Sequence, residues 1–285
     1  SDYLSELANL ILQVTLEIVW PTLKGKHRDV PKFTVIGYGK LGGKEIGYAS
    51  DLDIIFLYDD DAPDAGQIYA RFGQRINNWL NSLTSAGMLY ETDMQLRPDG
   101  ASGLLVSTVE AFRDYQQHKA WVWEHQAITR ARFSAGDVEI GKAFEHIRFD
   151  VLTQQRDANS LKQEVVEMRQ KMRAGHVIPT DLFDLKQSLG GIIDVEFMVQ
   201  YLVLANAHQH PEVAENIGNI ALLAKFAGLG VIENEQAEAV ANAYRELRKK
   251  QHALRLQGHS KAQVAMAEVA ELVEPVRALW TQLMT

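Results

Sequence analysis

The stretch from Gly37 to Tyr58, GYGKLGGKEIGYASDLDIIFLY, combines a glycine-rich turn, a pair of aspartates and an apolar run. Its end, Leu52 to Tyr58, is typical of a buried β-strand. Side chains two residues apart in a strand point to the same side, so we expect Asp51 and Asp53 to lie together. Two such carboxylates can share a cation such as Mg²⁺, and glycine backbone amides can bind phosphate oxygens. The stretch therefore predicts a site for a metal-bound phosphate.

The predicted phosphate-binding groups are the backbone amides of Gly42 and Gly43 and the hydroxyl of Ser50, which directly precedes the first aspartate. Two better-known glycine motifs compete for the same stretch. A Walker A loop is disfavoured because Lys44 is followed by Glu45, where that motif requires Ser or Thr.

A dinucleotide-binding fingerprint is the more serious alternative, because residues 37–42 match G-x-G-x-x-G directly after a predicted strand. That fingerprint belongs to a parallel βαβ unit, whose crossover contains a helix and takes at least about 10–12 residues. Here the next strand begins at Leu52, and the glycines at 42, 43 and 47 disfavour a helix in between. The sequence therefore favours the metal-phosphate site.

Outward from this stretch, the sequence predicts a small sheet with helices. Phe33–Gly37 is a compact apolar strand, and Leu89–Leu96 alternates apolar and polar residues with the period of two that a strand requires. The polar face of this last strand holds Asp93, which we favour as the third carboxylate of a two-metal site, and Glu91, which is the alternative. A helix precedes that strand, and its apolar stripe has helical spacing: Ile68, Phe72, Ile76, Trp79 and Leu83.

The order of the predicted elements divides the chain into two domains. The first, residues 1–135, opens with an amphipathic packing helix from Leu4 to Trp20 and carries the strands. The second, residues 136–285, shows no convincing strand pattern, and it is expected to contain a helix within 237–256 and a helix start near Pro275. The expected fold class is α+β, with a small mixed sheet and flanking helices followed by an all-α bundle.

Composition limits the classes of function. The formal net charge of −8 argues against a nucleic-acid-binding surface, which is usually basic. The chain has no cysteine, which fits a reducing compartment. Polar residues interrupt the apolar opening segment before it reaches the length of a membrane span, and it lacks the features of a signal peptide. We therefore expect a cytoplasmic protein that binds neither nucleic acid nor membrane.

Two charged clusters are predicted to be solvent-exposed. The acidic run at residues 59–64 lacks the central glycine and final glutamate of an EF-hand, so it is interpreted as a solvated turn. The basic cluster between Arg245 and Arg255 is interpreted as a solvated helix face, with docking of a partner protein as the alternative.

Four blocks of sequence resemble one known family. They are residues 37–56 (GYGKLGGKEIGYASDLDIIF), 90–106 (YETDMQLRPDGASGLLV), 121–137 (WVWEHQAITRARFSAGD) and the DLK and GGIIDVEF segments within 184–197. Together they resemble glutamine synthetase adenylyltransferase, a family of polymerase-β-like nucleotidyltransferases. The resemblance covers most of residues 33–200 in the right order, which is far more specific than any single short motif.

The resemblance implies an enzyme that transfers AMP from ATP to a tyrosine hydroxyl of glutamine synthetase and releases pyrophosphate. It also implies that Asp51, Asp53 and Asp93 hold two Mg²⁺ ions. Lys40 and Arg97 are candidate nucleotide contacts, although a lysine in such a loop is also expected simply to be solvated. The role of the block at residues 184–197 stays open between a helix start and a substrate contact.

Members of this family carry two related halves in one chain, one that attaches AMP and one that removes it by phosphorolysis. A single copy of the signature indicates one half, and residues 123–132 are closer to the C-terminal, adenylylating half. The implied partners are glutamine synthetase as substrate, the PII signal protein and glutamine as regulators, and the remainder of a longer chain. The AMP-removing half and a non-catalytic module that binds nucleotide or PII are the alternatives.

Overall fold

The computed structural model describes every residue except Ala49, Val177, Ile178 and Thr180. It divides into two compact units, Ser1–Val151 and Leu152–Thr285. The first unit extends past the predicted boundary after residue 135, because the helix that follows residue 136 belongs to it. The division into two functional domains at that boundary stays a prediction.

The first unit is built around a mixed sheet in the order β3–β2–β1–β5, with β4 also paired to β2. Strand β1 is antiparallel to both β2 and β5, whereas β3 and β4 run parallel to β2. The strands are β1 (Phe33–Gly37), β2 (Leu52–Tyr58), β3 (Thr92–Asp93), β4 (Val106–Thr108) and β5 (Arg132–Gly136).

The helices of the first unit pack on this sheet. The described residues form α1 (Asp2–Val19), α2 (Gly39–Gly42), α3 (Ala65–Asn81), α4 (Val109–His118), α5 (Val122–Ile128) and α6 (Val138–Leu152). Helix α3 buries one face, as its apolar stripe predicts, and Thr108 caps α4 by accepting a hydrogen bond from the Ala111 N–H at 3.0 Å. Trp79 and Leu83 of the predicted stripe are instead exposed.

The core of this unit lies between the sheet and helices α1 and α3. All five residues of β1 are buried, and Phe33 contacts the rings of Phe56, Tyr69 and Phe72. Burial of a large apolar side chain stabilises a fold by about 1.5–3 kcal/mol. This cluster therefore anchors β1 and β2, the two strands that flank the glycine-rich turn.

Several sequence predictions for the first unit need correction. Strand β3 has only two residues, whereas the alternating pattern predicted a strand over Leu89–Leu96. Strand β5 is not among the strands that the sequence predicts, because its strand conformation depends on pairing with β1, about 100 residues earlier in the chain. The antiparallel pairing of β1 with β2 is incompatible with a dinucleotide-binding βαβ unit at residues 37–58.

The acidic run at residues 59–64 is not uniformly a solvated turn. The Asp60 side chain is fully buried and contacts His27 Nε2 at 2.7 Å and Arg28 Nε at 2.8 Å. It also accepts hydrogen bonds from the Tyr69 hydroxyl at 2.9 Å and the Ala62 N–H at 3.1 Å. Burial alone raises the pKa of Asp60, but the hydrogen bonds and the Arg28 charge outweigh it and lower the pKa to about 2. Asp60 therefore ties together three segments of the first unit.

The second unit is mainly helical, with α7 (Ala158–Ala174), α8 (Ile192–Asn206), α9 (Asn219–Gly228), α10 (Asn234–Leu256) and α11 (Ala270–Met284). It also contains an antiparallel pair, β6 (Leu182–Asp184) and β7 (Gln263–Ala265), so the prediction of an all-α domain is wrong. The helix expected within 237–256 lies in α10. Pro275 lies inside α11 and does not begin a helix. Among the described residues, the structure has no helix that is both long and apolar enough to cross a membrane.

The block at residues 184–197 forms a buried ionic connection between helices of the second unit. Asp194, in the first turn of α8, accepts a hydrogen bond from Arg169 Nε of α7 at 2.6 Å, and both side chains are fully buried. The other oxygen of Asp194 accepts from the Gly190 N–H at 2.6 Å. Arg169 also donates to the Gln187 carbonyl at 2.8 Å. These contacts support a structural role for this aspartate.

Candidate active site

Three aspartates lie at one edge of the sheet in the first unit. In the parallel pairing of β2 with β3, Asp53 lies directly opposite Asp93. Asp51 is two residues before Asp53 and points to the same side. One carboxylate oxygen from each of the three lies within 4.8 Å of the other two, and all three residues are partly exposed. The structure thus brings together the three carboxylates that the sequence singled out.

The donor set and its spacing fit a hard divalent cation. Mg²⁺ takes oxygen ligands at about 2.0–2.1 Å, so opposite ligands in an octahedral shell lie about 4 Å apart. Lys40 Nζ lies 3.6 Å from Asp51 Oδ1 and lowers part of the repulsion in this group. A cation at this position would relieve their mutual repulsion.

Asp93, rather than Glu91, completes the acidic group. Glu91 is exposed and lines the same cleft, but its side chain lies outside the close group of three. Its backbone carbonyl accepts a hydrogen bond from the Leu52 N–H at 2.9 Å. Asp93 Oδ1 accepts a hydrogen bond from the Gln95 N–H at 2.8 Å, which holds the carboxylate at the end of β3.

The glycine-rich turn contributes close packing around the carboxylates. Gly39 has φ +51°, and a Cβ atom there would lie 2.2 Å from Asp53 Oδ2. This position therefore needs glycine for two reasons, its left-handed backbone and the space that the carboxylate occupies. Gly39 is the second glycine of the stretch GYG, and its contact with Asp53 was not predicted from the sequence.

Gly42 and Gly43 do not offer their amides to a phosphate in this structure. The Gly42 N–H donates to the Tyr38 carbonyl at 2.8 Å, and the Gly43 N–H donates to the Gly39 carbonyl at 3.0 Å, within the single turn α2. A Cβ atom on Gly42 would lie 1.9 Å from the carbonyl oxygen of Arg130. Both glycines serve the close packing of the turn in this structure, and the binding of phosphate by their amides stays a prediction.

Arg130 fixes the far side of this turn. Its guanidinium forms an ion pair with Glu45, with Nη2 2.5 Å from Oε2, and both side chains are largely buried. A Cβ atom on Gly43 would lie 2.6 Å from the same Nη2. This contact has only a weak signal in the sequence, since Arg130 lies 85 residues from Glu45.

Ser50 and Arg97 hold the loops beside the aspartates. The Ser50 Oγ accepts a hydrogen bond from the Gly47 N–H at 3.0 Å. Arg97 donates to the carbonyls of Met94 at 2.7 Å, Ala101 at 3.0 Å and Gly103 at 3.4 Å. In this structure Arg97 therefore organises the loop that follows β3, and it also faces the cleft.

An open cleft of about 430 Å³ adjoins the acidic group. Asn77 of α3 also lines this cleft. Its place there was not predicted, because a single polar residue on a predicted helix does not indicate a binding site. Its lining residues are Asp51, Asn77, Glu91, Thr92, Asp93, Met94, Gln95, Arg97 and Leu105.

Comparison with known proteins shows the family to which the chain belongs. Residues 1–147, just over half of the chain, match the family model described as glutamate-ammonia ligase adenylyltransferase. The mixed α/β fold and this match define a protein of the nucleotidyltransferase class. The chain belongs to the glutamate-ammonia ligase adenylyltransferase family; glutamate-ammonia ligase is another name for glutamine synthetase. Residues 159–279 match the model described as GlnD PII-uridylyltransferase.

Individual relatives agree with the family assignment. The chain is 56% identical over 281 residues to a protein of Aromatoleum aromaticum, 60% over 258 residues to one of Nitrosomonas europaea and 54% over 288 residues to one of Burkholderia mallei. These alignments cover 99%, 90% and 99% of the chain. Each relative is named bifunctional glutamine synthetase adenylyltransferase/adenylyl-removing enzyme. The chain spans only 30%, 28% and 31% of their respective lengths.

Proposed function

We propose that this chain transfers AMP from ATP to a tyrosine hydroxyl of glutamine synthetase and releases pyrophosphate. The observation that carries the proposal is the group of carboxylate oxygens from Asp51, Asp53 and Asp93, which lie within 4.8 Å of one another beside an open cleft. Membership of the adenylyltransferase family supports the same chemistry. The tyrosine oxygen forms a bond to the α-phosphorus while the bond from that phosphorus to pyrophosphate breaks.

The three aspartates are the proposed ligands of two Mg²⁺ ions. When bound, the metal ions neutralise the charge on the phosphates and on the leaving pyrophosphate. Asp51 and Asp53, at the start of β2, would present their oxygens to the triphosphate-bound cation. Asp93, on the neighbouring strand, would face the acceptor and take the tyrosine proton.

The other predicted residues have supporting roles in this proposal. Lys40, 3.6 Å from Asp51, would balance charge at the phosphates, and the Ser50 hydroxyl would donate a hydrogen bond to a phosphate oxygen. Arg97 would hold the loop after β3 in place through its bonds to three carbonyls. Because the reaction needs no covalent enzyme intermediate, positioning and charge supply most of the acceleration.

At the level of the fold, we propose a polymerase-β-like nucleotidyltransferase domain followed by a mainly helical domain. The match of residues 159–279 to the PII-uridylyltransferase model supports a relation of the second part to PII signalling. The PII protein and glutamine are the proposed regulators, and they would act in a longer, two-half chain of the length that the relatives have. We propose the cytoplasm as the compartment.

The proposed direction is attachment of AMP. It rests on residues 123–132, WEHQAITRAR, which are closer to the adenylylating half of the family than to the removing half. Removal of AMP by phosphorolysis needs a similar metal site, so the geometry of the three aspartates supports either direction.

One paired assay tests activity and direction together. The chain is incubated with Mg²⁺, α-labelled ATP and unmodified glutamine synthetase, and separately with adenylylated glutamine synthetase and phosphate. We expect transfer of label in the first reaction, and loss of that transfer with Asp51→Asn. Release of ADP from the modified protein in the second reaction alone would reverse the direction. Silence in both reactions would contradict the catalytic proposal and favour a nucleotide- or PII-binding module.

A further inference from the structure

The position of Asp93 depends on a very short piece of secondary structure. Strand β3 consists of Thr92 and Asp93 alone and pairs only with the first two residues of β2. A two-residue strand at the edge of a sheet has few ladder hydrogen bonds and leaves backbone groups unpaired. Some further contact must therefore fix the rotation of this strand about its axis, because that rotation sets the distance from the Asp93 carboxylate to Asp53.

Thr92 provides such a contact on the opposite side of the strand. Successive side chains of a strand point to opposite faces, so Thr92 points away from the carboxylates and towards helix α3. Its hydroxyl donates to Asn77 Oδ1 and accepts a hydrogen bond from Asn81 Nδ2 at 2.7 Å. Its backbone N–H donates to Asn81 Oδ1 at 3.2 Å. Thr92 is thus held by both its side chain and its backbone.

The two asparagines lie on a helix that is well packed in the core, and they are hydrogen-bonded to each other. They lie one turn apart on α3, and Asn81 Nδ2 also donates to the Asn77 carbonyl at 2.8 Å and to Asn77 Oδ1 at 3.0 Å. Helix α3 buries seven residues in the core, among them Phe72, Ile76 and Leu80. A further hydrogen bond, from the Tyr90 N–H to the Leu80 carbonyl at 3.0 Å, connects the segment just before β3 to the C-terminal end of α3.

We propose that Asn77, Asn81 and Thr92 form an amide clamp that positions Asp93 for metal binding. This inference rests on the proposed metal site of the three aspartates. Asn81 and Thr92 are positioning residues, since they act through the orientation of β3. Asn77 and Thr92 also line the cleft, whereas Asn81 does not, so Asn77 is left out of the test and Asn81→Ala is its main variant.

The clamp is tested by the binding of Mn²⁺ to the 285-residue chain, measured by calorimetry without nucleotide. Asn81→Ala removes both bonds to Thr92, and Thr92→Val removes the hydroxyl while it keeps the volume and the β-branch. Outer contacts of metal ligands typically contribute 10–100-fold in affinity, so we expect each variant to weaken Mn²⁺ binding by about 10-fold or more. Thr92→Ser keeps the hydroxyl and should bind Mn²⁺ within about twofold of the parent.

Asn78→Ala is the matched control, because Asn78 lies on the same helix with an exposed side chain. It should bind Mn²⁺ as the parent does, and the thermal unfolding of all variants should show that they are folded. If Asp51→Asn abolishes binding while Asn81→Ala and Thr92→Val bind like the parent, the clamp is overturned and the metal site stands. If Asp51→Asn binds Mn²⁺ as the parent does, the metal site is overturned, and the clamp and the proposed mechanism fall with it.

Discussion

Three carboxylates at one sheet edge are the most informative residues of this chain. Asp51 directly precedes β2 and Asp53 is the second residue of that strand, so the alternation of side chains in an extended chain puts them on one side. Asp93 joins them because β3 runs parallel to β2 in the register that pairs it with Asp53. Like charges so close repel one another, and Lys40 Nζ lies 3.6 Å from the Asp51 carboxylate. A fold that maintains this arrangement is expected to use it for a cation.

Substitution of Glu91 and Asp93 distinguishes the third metal ligand from a neighbouring carboxylate that does not bind the metal. Asp93→Asn should lower kcat/KM for AMP transfer by about 100-fold or more, because a metal ligand supplies several kcal/mol of charge stabilisation. Glu91→Gln, in the same cleft, should change kcat/KM by no more than about twofold. A larger loss with Glu91→Gln than with Asp93→Asn would assign the third ligand to Glu91.

Gly39 is a second position at which a small substitution is expected to have a large effect on activity. A Cβ atom in Gly39→Ala would meet Asp53 Oδ2 at 2.2 Å, so the carboxylate must move. A displacement of about 1 Å in a catalytic group can cost about 100-fold in rate, and we expect a loss of that size. Gly100→Ala is the control, since Gly100 has a similar φ of +56° but its nearest neighbour would lie 3.6 Å away. Equal activity losses in both variants would attribute the effect to backbone strain alone.

Between elements, buried polar contacts connect segments that the sequence shows as separate. In the first unit, Asp60 joins the loop after β2 to His27, Arg28 and the α3 residue Tyr69. In the second unit, Asp194 joins α8 to α7 through Arg169. Both aspartates lie in segments whose composition suggested exposure or an ordinary helix start.

The Asp60 contacts should make the unfolding free energy of the first unit depend on pH in the acidic range. The pKa of this carboxyl is lowered in the folded state, so its contribution is present above the ordinary pKa near 4 and is lost as the pH falls towards 2. Asp60→Asn should cost about 2 kcal/mol of unfolding free energy at pH 7, and the difference from the parent should shrink below pH 4. Asp61→Asn, on an exposed neighbour, is the control for urea unfolding at each pH. A constant difference from pH 7 to pH 2 would contradict this account.

The Arg169–Asp194 pair should behave as a buried ionic connection. Asp194→Ala removes the carboxylate that pairs with the buried Arg169 guanidinium. We expect this change to lower the unfolding free energy of the second unit by about 3–5 kcal/mol. Replacement of both partners by apolar residues, Arg169→Met with Asp194→Leu, should cost less than the single change, because the fully buried Arg169 charge is removed together with its partner. Urea unfolding monitored by circular dichroism gives both values. A double variant less stable than Asp194→Ala would indicate that the pair itself is strongly stabilising.

Across the whole chain, the sequence predicts those helices and strands that are determined by the residues within them. Strands β1 and β2 and helices α1 and α3 follow from apolar runs and helical spacing, and Asp51 and Asp53 follow from the period of a strand. Strand β5 has no such local signal, since its conformation comes from pairing with β1. The pair β6–β7 joins segments about 80 residues apart in the same way.

The candidate site shows the same division between local and distant information. The aspartates are visible in the sequence as a D-x-D pattern and an alternating stretch. The contact of Arg130 with the glycine turn and the hydrogen bonds of Thr92 to α3 are not, because each depends on how distant elements meet. For the same reason, the close packing of Gly42 and Gly43 against Arg130 has no signal in the sequence.

A crystal grown with Mn²⁺ and a non-hydrolysable ATP analogue would locate the metal ions and so test whether the three aspartates bind them. We expect an anomalous scattering peak about 2 Å from oxygens of Asp51, Asp53 and Asp93, with the analogue's phosphates in the adjoining cleft. The same crystals of Asp51→Asn should lose or weaken that peak. Metal and phosphates bound away from these three carboxylates would contradict the account.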